Sequence, residues 1–169
     1  SADDEFDPDD WVELYNPTSE TISIGLWEFK DENDDHVYTI AEDISLGEDE
    51  YLVLCTNSSA FADLFPEVEN YVGDIDFGLS GGGELIRLFD SSGVLVDAVE
   101  YDDNDPWPEE ADGNGPTLEL INPNMDNAQP ENWAASAGYG SPGSLNSSYL
   151  SNEDEILTFT EFILNNNYP

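Results

Sequence analysis

Basic residues are nearly missing from this chain. Lys30 and Arg87 stand alone among 169 residues, against 40 Asp and Glu, for a formal net charge of −38 at pH 7. Contacts to phosphate need a basic face, so a generic nucleic-acid binder is excluded. The same deficit argues against docking on anionic lipid. Cysteine is as scarce: with Cys55 the single one, no disulfide can close within the chain. Cys55 lies in the apolar run Tyr51-Leu-Val-Leu-Cys55-Thr and reads as a small core residue. His36, also single, cannot build a His-rich metal site or a Ser-His-Asp triad and reads as a solvated loop residue. No run approaches the ~18 apolar residues of a membrane-spanning helix. A Gly-rich phosphate loop with Lys is also lacking. Paired carboxylates are so common that they select no glycosidase pair. The expectation is a protein that is not an enzyme and does not insert in membranes. It opens on Ser without a charged-then-apolar leader, as a mature or excised piece would.

What is present is apolar enough to fold. Hydrophobic residues make up 38% and aromatics 12%, too much for a disordered chain. The length suits one domain, or one with a tail. So many like charges repel and destabilise the compact state. Two environments relieve that load: high salt, which shortens the Debye length to about 3 Å at 1 M, and a fluid with millimolar Ca²⁺.

Helical periodicity is almost absent. Short β-rich runs are broken by Gly, Pro, Asn and Asp. The expected strands are 11–16, 22–29, 36–41, 51–56, 71–72, 84–89, 94–101, 117–121 and 156–164, with one short helix over Ser59–Phe65 after a Ser cap and before Pro66. Asp90-Ser-Ser-Gly93 reads as a hairpin turn with Gly at the positive-φ position. Poor alternation in Tyr51–Leu54 suits a strand buried on both faces. Trp11, Trp27 and Trp133 read as core or rim anchors, and Trp107, between Pro106 and Pro108, as a pin for its loop. Many short strands with regular turns indicate an antiparallel sandwich.

Several motifs resemble one family. Asp10-Trp-Val-Glu-Leu-Tyr-Asn-Pro-Thr18 is similar to the opening signature of bacterial lamin-tail domains. Leu79-Ser-Gly-Gly-Gly-Glu-Leu-Ile-Arg-Leu-Phe-Asp90 followed by Gly93-Val-Leu-Val-Asp-Ala-Val-Glu-Tyr101 resembles the family's central hairpin. Asp105-Pro-Trp-Pro108, Gly115-Pro-Thr-Leu-Glu-Leu-Ile121, Glu131-Asn-Trp-Ala134 and Gly140-Ser-Pro-Gly143 resemble its closing part. The resemblance covers about residues 6–143. It implies an all-β, immunoglobulin-like antiparallel sandwich, generally a non-catalytic module of large secreted or surface proteins.

One departure matters. The family's first strand, of the type Ile-Asn-Glu-Ile, should precede Trp11, yet only ten residues do. A similar strand, Phe159-Thr-Glu-Phe162, stands at the other end, so the chain is cut in a permuted frame. The organisation read from this is a sandwich over 1–143, a linker over 144–155 (its composition already linker-like from Gly138), and a C-terminal strand over 156–169. A free strand of this kind is an aggregation-prone edge. It can fold back into its own domain, enter the next subunit by strand donation, or continue a tandem array, and a head-to-tail contact that does not close makes a filament. The reading favours donation or continuation. Leu157, Phe159, Glu161, Phe162 and Ile163 belong to the donated strand, with Leu157, Phe159 and Ile163, or else Ile156 and Phe162, facing the acceptor core. Trp11, Val12, Glu13, Leu14 and Tyr15 form the acceptor.

Ca²⁺ takes six to eight oxygens from carboxylates, Asn side chains and loop carbonyls. The acidic loops offer these without any complete EF-hand pattern. The candidate ligands are Asp102, Asp103 and Asp105 with Asn124 and Asp126 as partners, then Asp7, Asp9, Asp31 and Asp34. Asn57-Ser-Ser59 and Asn146-Ser-Ser148 match the N-glycosylation pattern. The expected role is a structural module at the cell surface or outside the cell, a homopolymer or array subunit held by Ca²⁺ or salt. The alternative is an adhesion module recognising carbohydrate or a surface protein through its loops.

Overall fold

The structure is a computed structural model and describes residues 9–111 and 115–151. Its organising strand is β6 (Tyr51–Cys55), which has four buried residues in succession. Successive side chains of a strand point to opposite faces. Leu52 and Leu54 enter the main core with Ile24, Phe29, Ile40, Leu46, Ile75 and Phe77. Val53 and Cys55 enter a second cluster with Phe61, Phe65 and Val68. The run therefore lacks polar alternation because both of its faces are dry.

On one side β6 pairs antiparallel with β1 (Trp11–Tyr15), Trp11 opposite Cys55 and Tyr15 opposite Tyr51; on the other it pairs parallel with β7 (Tyr71–Val72). A second, antiparallel sheet has the order β4 (Tyr38–Thr39), β3 (Glu28–Lys30), β8 (Glu84–Phe89), β9 (Leu95–Tyr101). Phe29 from this sheet meets Leu52 and Leu54 in the main core, and Ile86 packs against that cluster. The result is a two-layer sandwich. Two small antiparallel pairs complete it: β2 (Ile22–Ser23) with β5 (Ser45–Leu46), and β10 (Leu118–Leu120) with β11 (Trp133–Ala135). No helix among the described residues is long and apolar enough to cross a membrane.

Several elements differ from the sequence expectation. The strand expected over 22–29 is broken into β2 and β3 by a turn in which Leu26 has φ 64° and the Trp27 amide donates to the Ile24 carbonyl. Gly25 permits that turn, since a Cβ there would lie 2.1 Å from the Glu42 carbonyl oxygen. The 36–41 strand shrinks to two residues, and β5 and β11 were not expected, being too short to show a period. The helix is α1 (Ser58–Leu64), and its cap is Asn57 rather than a serine: the Asn57 side chain accepts from the Ala60 amide at 3.0 Å. The Asp90–Gly93 turn has the expected form, with Gly93 at φ 80° and the Asp90 carboxylate accepting from the Ser92 and Val94 amides.

The aromatic anchors hold as read. Trp11 meets the Phe61 and Phe65 rings edge-on, and buried Trp107 lies 5.9 Å from Trp133. Residues 144–151, read as the start of a linker, are fastened to the body: the Asn146 amide donates to the Leu120 carbonyl and the Leu150 N–H to the Ile121 carbonyl. The strand expected over 156–164 lies outside the described residues.

Candidate strand-acceptor edge and the acidic loops

The Thr56 amide donates to the Asp10 carbonyl at 2.9 Å and the Asn16 amide to the Glu50 carbonyl at 3.0 Å. In an antiparallel ladder, successive residues alternate between facing the partner and facing away. Asp10, Val12, Leu14 and Asn16 thus turn their main chain to β6, and Trp11, Glu13 and Tyr15 turn theirs outward. Among the described residues no strand pairs on that outer side, and no backbone hydrogen bond reaches those three residues from it. Accessibility agrees. All five β1 residues are half-buried, including Val12 and Leu14, which pack on the main core. Among the described residues, Trp11–Tyr15 therefore lie at an edge of their sheet.

The outward-facing row carries Glu13 under a strap formed by residues 141–150. The Gly143 amide donates to the Glu13 carboxylate at 2.6 Å. Burial, the larger effect, raises the Glu13 carboxyl from its ordinary 4.5 to about 7, with the negative charge of Glu119 adding to it. Glu119, on β10, is better provided for. It accepts from the Ser141 hydroxyl at 2.5 Å, the Ser147 hydroxyl at 2.8 Å and the Ser148 amide at 2.9 Å. Although burial pushes its carboxyl up, these bonds together bring it below its ordinary value. Neither carboxylate has an ion-pair partner among the described residues. At the far end of the edge the Tyr15 hydroxyl donates to Asp49 at 2.6 Å, which with burial pushes the phenol up to about 12, and its ring stacks on Tyr51. Glu119 and the strap serines escaped the sequence reading because 22 to 29 positions separate Glu119 from its strap donors.

The acidic loops are largely occupied by their own chain. Asp31 is buried; its carboxylate accepts from the Asn33 amide and meets His36 Nδ1 at 2.6 Å, while its carbonyl accepts from the Arg87 guanidinium at 3.0 and 2.5 Å. Asp34 pairs with the same guanidinium at 2.9 Å. His36 is therefore not a free loop residue: it pairs with Asp31, which raises its pKa, and stacks on Phe77 at 5.1 Å. Asp102 and Asp103 both accept from Asn104, and Asp102 is held below its ordinary pKa chiefly by that side chain. Asp105 is exposed before a cis proline. The Asn124–Asp126 turn closes on itself, Asp126 accepting from the Ala128 amide and the Gln129 side chain. The Trp133 indole N–H donates to the Asn127 carbonyl beside this turn, and the Trp133 ring meets Trp107 from the loop after Asp105. Asp9 accepts from the Asn57 amide group. Among the described residues, no three His, Cys, Asp or Glu side chains come together as a metal site. Asp7, Leu157, Phe159, Glu161, Phe162 and Ile163 lie outside the described residues. Both glycosylation-pattern asparagines use their side-chain amides internally, Asn57 toward Asp9 and Asn146 toward the Leu120 carbonyl.

Two β-sheets packed over a shared core, with one short helix on the outer face, define an immunoglobulin-like β-sandwich. The lamin tail domain family model matches residues 1–103, more than half of the chain, and the chain belongs to that family, one of non-enzymatic immunoglobulin-like domains. No curated protein matches it.

Proposed function

We propose that this protein is a non-catalytic, extracellular structural module whose copies join head to tail, the 156–164 segment of one completing the β1 edge of the next. The observation that carries this reading is the outward row of Trp11, Glu13 and Tyr15, whose backbone groups have no strand beside them among the described residues. An added strand would satisfy them and cover Val12 and Leu14. Its apolar residues are worth about 1.5–3 kcal/mol each on burial, before the entropy of ordering. The formal charge of −38 supports a role in salty or Ca²⁺-rich fluid, where screening and cation binding offset repulsion between copies. The test is deletion of residues 156–169. Donation predicts that polymers disappear on sizing columns, and that a free peptide spanning 156–169 raises the melting temperature of the truncated protein without restoring polymers. An intact protein that stays monomeric at high concentration, with this segment protected from hydrogen exchange, would refute it.

A further inference from the structure

The strap of residues 141–150 rests on two carboxylates, and among the described residues no basic side chain pairs with either. Beneath it, Glu13 reaches up from β1 and Glu119 from β10. The donors are divided unequally: Glu119 receives three hydrogen bonds from the strap, Glu13 one. Two like charges under one cover repel, and the group with fewer donors is the one that gains by taking a proton. The titratable groups facing Glu13 are Glu119 and, from β6, Tyr51, whose phenol burial keeps neutral. The strap also leads directly into the chain's last segment, its Leu150 amide tied to the Ile121 carbonyl at the end of β10.

We propose that Glu13 is a proton-operated fastening for this strap: protonated, it leaves Glu119 as the one charge beneath and the strap stays down; ionised, it lets the strap lift. The direction fits the titration of Glu13 near neutrality. The closed strap binds the proton more tightly than the open one, so opening becomes easier as pH rises through about 7. Strap opening is measured on its own, so this proposal and the strand-joining reading above fail separately.

The test is amide hydrogen exchange by NMR on the dilute full-length chain at pH 6 and pH 8, corrected for intrinsic rates. Protection of the Gly143, Ser148 and Leu150 amides should fall about tenfold from pH 6 to pH 8, while Leu52 and Leu54 in β6 keep theirs. Glu13→Gln preserves an acceptor for Gly143 but cannot ionise, and should hold strap protection constant across this range. Glu119→Gln removes the opposing charge and should shift the wild-type transition to lower pH. An unchanged wild-type protection pattern overturns the proposal. So does a strap whose pH response survives in Glu13→Gln, or one whose loss is matched in β6.

Discussion

Lys30 and Arg87 face each other across β3 and β8, and both lie over the Phe89 ring. Replacing either by Met takes the formal net charge from −38 to −39, so long-range repulsion rises equally. Their local roles differ. Lys30 pairs with Glu28 at 2.9 Å, a partly exposed ion pair worth at most about 1 kcal/mol. Arg87 donates twice to the carbonyl of buried Asp31, and once to Asp34, whose side chain is 86% exposed. Losing the Asp34 pair costs little. Losing the donors to Asp31 leaves a buried carbonyl unsatisfied, at about 1–3 kcal/mol. Arg87→Met should therefore destabilise by about 2–3 kcal/mol, lowering Tm by roughly 5–10 °C for a chain of this length, and Lys30→Met by under about 1 kcal/mol. Urea unfolding at fixed ionic strength measures both. Equal losses would show that net charge, not the Asp31 carbonyl, sets the value of these two cations and would refute the reasoning.

Three further outcomes are expected. Glu13 has a raised pKa, so its contribution to stability is fully present below about 4.5 and lost as pH rises through about 7; in urea titrations Glu13→Gln should gain up to about 3 kcal/mol over wild type at pH 8 and little at pH 4.5. Asn57→Ala removes the α1 cap and should cost about 1 kcal/mol by thermal unfolding, with the β6 amides still protected. Chelating Ca²⁺ at low salt should lower Tm or loosen polymers, with partial rescue by 1 M NaCl; an unchanged Tm together with no Ca²⁺ heat in calorimetry would remove the cation from the account.

The sequence alone determined the class of fold and most of its strands. Tyr51–Cys55 needs no partner to be recognised as a strand dry on both faces, and Asp90–Gly93 carries its turn chemistry within four residues. The family motifs, ordered along the chain, placed β1 and the β8–β9 hairpin in one sandwich. Tertiary structure decided what depends on distance along the chain. It put the Gly143 amide on Glu13, three donors from the strap on Glu119, and Arg87 on the Asp31 loop, so that these acids are bonded within the chain. Local propensity has a range of a few residues, whereas a carboxylate's burial and donors are set by whichever segments the fold packs over it. Acids all look alike in a chain with 40 of them; only packing separates Glu13, raised by burial that a single donor does not offset, from Glu119, kept ionised by three.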